Sequence, residues 1–342
     1  MATPVESNCF IKLPVDLLDA WPWQRSLNPH YREGSPSAIS EFLPELHPRL
    51  RTAYKACNCD LMGTLCYPTG TKENQDICID LMNVFLIVDT YTDVADPAEA
   101  EEYAKSIMNV LRFPYGKRPS TEWLGDKVAR IFIIKTLETS KPSEAWKARF
   151  ISHFQVYIDA VVEEARNRNS GYIGNLEEYI SLRRRTSGMG PCICMCDVQL
   201  NLSEDALCDP VISEICQLAT DIVVWLNDIL SFNVEQSAGL IHNAIIVLMC
   251  DKEYSEAQAI EWATCIARDL ISKFIVLANN IPQFDDPVDR EARMYVDRIG
   301  YLIRGLWEWS FESHRYFGEH GSSVRHSGAV ERLEKVGSQK FF

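Results

Sequence analysis

The stretch "CDPVISEICQLATDIVVWLNDILSFNVE", residues 208–235, decides how the rest of the chain is read. Asp209 followed by Pro210 is a helix-start signal: a side-chain oxygen that accepts from free backbone N–H groups, then a ring that needs no N–H of its own. From there apolar residues recur around the whole turn as far as Glu235, with no Gly or Pro between, so the segment reads as a long helix inside an all-α protein. Its last third carries Asn227, Ser231 and Glu235 at i, i+4 and i+8. At ~100° per residue these positions drift slowly and form one line about three turns long. Oxygen-bearing side chains on an apolar helix cost free energy unless something pairs with them. An amide, a hydroxyl and a carboxylate make a hard-oxygen set suited to Mg²⁺, an ion that keeps waters and accepts phosphate oxygens as its remaining ligands. On a surface helix the same spacing would be a solvated stripe.

A second polar element interrupts a second apolar helix. "DICIDLMNVFLIVDTYTD" is apolar nearly all round from Ile77 to Val88, and "FLIVDTYTDVADP" then places Asp89, Asp93 and Asp96 at i, i+4 and i+7. Carboxylates at a helix C-terminus lie at the wrong end of the dipole, and a bound cation would offset that. The plainer reading is a solvated helix end stopped by Pro97. Further on, "EEYISLRRRTSGMGP" sets Arg183, Arg184 and Arg185 just before a break at Gly188, Gly190 and Pro191. Forked guanidinium groups beside a break suit a phosphate or diphosphate, although surface ion pairing needs the same residues. In "WEWSFESHRYF", Arg315 and Tyr316 offer donors to a phosphate, and Trp307, Trp309 and Phe311 offer π faces or ordinary core.

The bulk of the chain agrees with a globular helical protein. Of 342 residues, 46% are hydrophobic and 24% charged, enough for a sizeable core. The formal charge of -14, from 34 basic and 48 acidic residues, excludes a general nucleic-acid surface, which needs clustered Lys and Arg. Helical patterning runs from about residue 76 to 318, broken by short turn-rich loops such as "FPYGKRPSTEW" and "NNIPQFDDPVD". Residues 1–40, with "WPWQRSLNPHY", read as an arm wrapping the domain, and residues 319–342 as a flexible tail or flap. Twelve cysteines without a basic and apolar leader at the start read as reduced, buried thiols in a cytoplasmic protein. The i, i+2, i+4 spacing of "PCICMC" is not that of a zinc site. No apolar run approaches the ~18 residues of an integral membrane segment.

In this order and at these separations, the four motifs resemble those of class I terpene cyclases, in particular fungal sesquiterpene synthases. "DTYTD" is similar to the aspartate-rich motif, and "NDILSFNVE" matches N-D-x-x-S-x-x-x-E at every fixed position. "RY" at 315 and 316 is similar to the late Arg-Tyr pair, and "YISLRRRTSG" to the segment with the diphosphate-sensing arginine. The likeness spans roughly residues 10 to 318, and both ends are most similar to the 1,11-cyclising, protoilludene synthase-like group.

It implies a single-domain helical bundle around a central apolar cavity, and a substrate, farnesyl diphosphate, ionised with three Mg²⁺ ions. Asp89, Asp93, Asn227, Ser231 and Glu235 are the implied metal residues. Arg184, Arg315 and Tyr316 are the implied diphosphate residues, Arg184 being chosen by its spacing to Ser187 and Gly188. Phe85 and Trp309 are the candidates for carbocation-facing rings. Thr90 replaces the second acid of the aspartate-rich motif, and Gln236 replaces a basic residue after the triad. A chain-elongating prenyltransferase would instead carry two D-D-x-x-D motifs, which this chain lacks, and a non-catalytic helical interaction protein would carry these stripes on its outer surface. Oligomeric state is open.

Overall fold

The computed structural model describes residues 9–32, 37, 39–119 and 122–335. Its helices are α1 (Pro48–Cys57), α2 (Cys59–Cys66), α3 (Lys72–Thr92), α4 (Pro97–Arg112), α5 (Leu124–Thr139), α6 (Glu144–Ser170) and α7 (Leu176–Thr186). They continue with α8 (Met189–Asp197), α9 (Glu204–Leu207), α10 (Pro210–Ala238), α11 (Ala244–Asp251), α12 (Glu256–Asn279), α13 (Val288–Glu312) and α14 (Gly321–Ser327). Two short strands, β1 (Phe10–Lys12) and β2 (Ala329–Glu331), pair antiparallel with Ile11 opposite Val330.

The helix starts follow from local chemistry. Asp209 accepts from the backbone N–H groups of Val211 and Ile212 with Pro210 at the first helical position, and losing such a cap costs about 1 kcal/mol. At the other end of α10, Gly239 takes φ 73°, which a side chain would strain, and the Leu240 N–H closes on the Glu235 carbonyl at 3.0 Å. α10 is long and apolar enough to cross a membrane by composition, but 78% of its most apolar stretch is buried inside the fold, as a core helix requires.

Packing closes a ring. α3 lies against α2, α2 against α13, α13 against α10, α10 against α7, α7 against α6, and α6 returns to α3. One end of this ring collects the polar ends of α3 and α10, the break between α7 and α8, and the chain that leaves α13. Trp21, Trp307, Phe132, Phe150 and Phe232 are among the large side chains fully buried in the packed remainder.

The two chain ends differ from each other in what the sequence suggested. Residues 18–25 pack along α13: the Trp21 indole donates to the Gly300 carbonyl at 3.0 Å, and Arg304 donates to the carbonyls of Leu18 and Trp23. Residues 319–335, read as a flexible tail or flap, instead form α14, β2 and a docked segment, while 336–342 lie outside the described residues. Their polar composition misled because the partners are polar too, as the backbone of β1 and side chains of α10 show. Cys192, Cys194 and Cys196 are buried free thiols on α8.

Candidate active site

Asp89 occupies the last turns of α3, on the one face of that helix that the core leaves uncovered. It is open to solvent, yet burial is the largest influence on its carboxyl, which rises to about 6 against the opposing pull of Arg315. The groups that act on it, Arg315 beyond α13 and Glu164 and Tyr157 of α6, place the carboxyl facing those elements. Tyr157 of α6 donates to its Oδ1 at 3.3 Å. Asp93, the C-cap of α3, is half-buried beside it, and burial followed by the charge of Asp89 pushes its carboxyl up to about 8. Glu164 of α6 adds to the negative field at both aspartates and lies 3.5 Å from His242 Nε2.

Two residues of the sequence motif turn elsewhere. Asp96 has left α3 altogether; its carboxylate caps α4, accepting from Ala98 and Glu99, while Glu99 returns the bond to the Asp96 N–H. The i, i+7 spacing placed it on the Asp89 face only if the helix continued, and Pro97 starts a new one. Thr90 is buried and donates to the Leu86 carbonyl at 2.7 Å, one residue and so ~100° round from Asp89.

On α10 the predicted line of oxygens is present and every member is engaged. Asn227 donates from Nδ2 to the Tyr316 hydroxyl at 2.8 Å and accepts at Oδ1 from Arg183 at 2.7 Å. Asn243, the N-cap of α11, donates to Glu235 Oε2 at 2.8 Å and reaches Ser231 Oγ at 3.4 Å. Burial, with Asp228 nearby, raises the Glu235 carboxyl to about 7. Behind the line, the Asp228 carboxylate is 1% exposed and accepts from Tyr179, from Arg183 Nε at 3.0 Å and from the Ala244 N–H at 2.9 Å. One carboxylate therefore ties α7 and α11 to α10.

Of the three adjacent arginines, Arg183 is the one that turns toward the α10 line. Arg184, itself part-exposed, pairs with the buried Asp221 two turns earlier on α10, whereas Arg183 is the member that reaches Asn227 and Asp228. The physical reason is helical phase: Tyr179 and Arg183, at i and i+4, share the face that meets Asp228. Arg185 pairs with Glu163. The break after α7 is made by Gly188 at φ 69°, where an added Cβ would lie 3.2 Å from the Phe85 ring, so backbone strain and contact both favour glycine.

Phe85, one turn before Asp89, is half-buried and packs against Phe154 at 6.1 Å and edge-on against Tyr157 at 5.1 Å. Trp309 is buried; its indole donates to the Cys57 carbonyl at 2.5 Å, and its ring meets Tyr316 edge-on at 5.7 Å. Arg315 feels both aspartates across the mouth. Gln236 does not face this site. It is buried on the opposite side of α10 and donates to the Leu333 carbonyl at 3.0 Å.

No three His, Cys, Asp or Glu side chains among the described residues converge as a ready metal cage. The oxygens form two walls instead, an acidic pair and an amide–hydroxyl–carboxylate line, which fits ions that are completed by waters and phosphate oxygens. The acids raised by burial are the negative charge such ions would offset. A groove of about 410 Å³ along α5 shares none of these residues.

Sequence reading named Arg183 only as one of three adjacent arginines, and gave no role to Asp228, Tyr157, Glu164 or Asn243. Asn243 had a usable signal, an asparagine directly before the apolar run "AIIVLMC".

The ring of helices is the class I terpenoid synthase fold: it superposes on a-eudesmol synthase with a TM-score of 0.73, at 23% identity, over 85% of this chain and 98% of that one. Residues 80–273 match terpene synthase family 2, C-terminal metal binding, and this chain belongs to that family. It is similar to a Delta(6)-protoilludene synthase of Stereum hirsutum, 32% identical over 96% of this chain and 91% of the relative. It is also 35% identical to a Delta(6)-protoilludene synthase of Hypholoma sublateritium, over 94% of each. The family implies use of a divalent metal and an isoprenyl diphosphate substrate.

Proposed function

We propose that this protein is a sesquiterpene synthase that ionises farnesyl diphosphate with Mg²⁺, three ions by family likeness, and cyclises the resulting carbocation. The observation that carries the reading is the junction at Asn227, where the α10 line, Arg183 and Tyr316 meet opposite the acidic end of α3. Asp89 and Asp93 on one wall, and Asn227, Ser231 and Glu235 on the other, would hold the ions. Bound there, the ions neutralise charge that develops on the departing diphosphate.

The chain's own donors act on the same group. Arg183, Arg315 and Tyr316 bind the diphosphate by charge-assisted hydrogen bonds. Arg183 keeps its Nε bond to Asp228 as a pivot, so its remaining N–H groups can leave Asn227 for the substrate when that amide oxygen is claimed. Below the aspartates, Phe85, Phe154 and Tyr157 present aromatic faces that stabilise positive charge on the prenyl chain and exclude water. Trp309, locked by its bond to Cys57, supports Tyr316 from behind. The relatives named Delta(6)-protoilludene synthases support a cyclase reading, and the family likeness of both chain ends supports closure of the 1,11 type.

Incubation of the purified protein with farnesyl diphosphate and Mg²⁺, followed by gas chromatography of volatile hydrocarbons, tests this. A cyclic sesquiterpene that appears only with the metal is the expected result. Product from geranyl or geranylgeranyl diphosphate in place of the C15 substrate would overturn the chain length, and an elongated prenyl diphosphate would overturn the cyclase reading.

A further inference from the structure

The last two turns of α10 have a second polar face, and nothing in the proposed chemistry uses it. Asn233, Gln236 and Ser237 are 2%, 9% and 0% exposed, so each amide or hydroxyl needs a partner to be stable there. All three find it in the segment 331–334, roughly a hundred residues further along the chain. Asn233 donates to the Glu331 carbonyl at 2.8 Å and accepts from the Leu333 N–H at 3.1 Å. Gln236 donates to the Leu333 carbonyl at 3.0 Å, and Ser237 donates to the Glu334 carbonyl.

These bonds complete the strand pairing. β2 shows alternate backbone groups to its two edges. On one edge it pairs with β1, and the Arg332 N–H continues that ladder to the Cys9 carbonyl at 2.8 Å. On the other edge the groups of Glu331 and Leu333 meet the α10 side chains, which therefore stand in for a third strand. Arg332 Nη2 also donates to both carboxylate oxygens of Glu256 at the start of α12, at 2.6 and 2.7 Å.

The location gives this arrangement its consequence. Glu235 lies between Asn233 and Gln236 in sequence and within the last turns before Gly239, the part of a helix that frays most readily. Its carboxylate is held from the front by Asn243, and the turn that carries it is held from behind by the C-terminal segment. β1 then runs into the arm that packs on α13, the helix leading to Arg315 and Tyr316. The two chain ends thus join the carboxylate end of α10 to the helix that delivers the diphosphate donors.

We infer that Asn233, Gln236 and Ser237, with residues 331–334, form a clasp that positions Ser231 and Glu235 for the metal–diphosphate site; this rests on the function proposed above. Asn233 is a positioning residue and touches no substrate.

The test uses the whole protein, with Mg²⁺ and inorganic diphosphate as the probe, and follows the rise in melting temperature as Mg²⁺ is titrated at fixed diphosphate. For Asn233→Leu, and for Gln236→Leu as the milder variant, the Mg²⁺ needed for half of the full rise should increase about tenfold, the scale on which supports of metal ligands act. In turnover assays half-saturating Mg²⁺ should rise more than kcat falls. If Asn233→Leu does not fold, Ser237→Ala and Gln236→Leu carry the same comparison. Variants that melt lower but need the same Mg²⁺ as the wild type would overturn the clasp alone and leave it a purely structural contact. A wild type that shows no rise with Mg²⁺ and diphosphate would overturn the functional reading and the clasp with it.

Discussion

The two walls of the site hold their polar atoms in opposite ways. On α10, Asn227 is bonded to Arg183 and Tyr316, Glu235 to Asn243, and the supporting Asp228 to three donors. On α3, Asp89 receives one bond from Tyr157, and its neighbour Asp93 sits in the field of Asp89 and Glu164, so that burial drives both carboxyls upward. The α10 wall is shaped by the protein before anything binds. On the α3 wall burial disfavours the charged form of both carboxyls, so a cation has most to offset there. Preorganisation on one side and unmet charge on the other suit a site that assembles fully only when ions and diphosphate arrive together.

Removing a wall should cost most. Asn227→Ala and Glu235→Ala should each lower Mg²⁺-dependent diphosphate release by about 10²–10³-fold or more, the scale of a lost electrostatic contact to the leaving group. The helical circular dichroism should remain. Asp89→Ala should match them from the other side. Full turnover in the α10 variants would refute the metal assignment. Asp228→Ala should behave differently, because it leaves Arg183 and Tyr179 without their buried partner. A loss of about 3–5 kcal/mol in a urea unfolding experiment is expected.

The same contrast governs what the sequence could reveal. The α10 line was legible because i, i+4, i+8 spacing survives on any long helix, and Asp209-Pro210 marked where that helix begins. Asp89 was legible for the same reason. Asp96 was not, since its phase depended on whether α3 continued past Asp93, and a capping aspartate before Pro97 looks the same as a ligand in one dimension. The directions of Arg183, Arg184 and Arg185 were not legible for a related reason. Three adjacent arginines point in three directions, and only the partner helix decides which direction is inward. The role of residues 329–335 was hidden because their partners, Asn233 and Gln236, are polar residues whose burial depends on a segment about a hundred positions away.

The arginines give the next prediction in size. Arg183→Ala should weaken inorganic diphosphate binding and turnover strongly, whereas Arg184→Ala should leave both nearly unchanged and act on stability instead, because it takes a forked partner from the buried Asp221. Equal losses in both would return the sensing role to an open choice.

A pH titration would sharpen the comparison further. Asp93, Glu235 and Asp89 have folded-state pKa values raised to about 8, 7 and 6 from ordinary values of 3.8, 4.5 and 3.8. Between about pH 4 and 8 the folded protein therefore holds protons that the unfolded chain has lost, and linkage makes its stability fall as pH rises across that window. Metal-free protein should melt progressively lower from pH 5 to 8. Mg²⁺ with diphosphate should recover most at the high end, with proton release on binding seen by calorimetry in buffers of different ionisation heat. A melting temperature that is flat or rising across this range would show that the acids are already compensated.

The smallest effect should come from the ring beneath the acids. Phe85 touches Phe154, Tyr157 and the backbone at Gly188, and none of those contacts passes through the α10 line. Phe85→Leu keeps an apolar side chain but removes one π face, a change of about 0.5–2 kcal/mol in how strongly positive charge is held at that point. Carbocation rearrangements branch on differences of this size, since each 1.4 kcal/mol shifts a ratio of products about tenfold. The hydrocarbon mixture should therefore change while half-saturating Mg²⁺ stays where it was. An unchanged mixture would remove Phe85 from the cavity wall. A changed Mg²⁺ requirement would mean that the ring supports Asp89, and that the division between the charged mouth and the aromatic wall lies deeper than the turn separating these two residues.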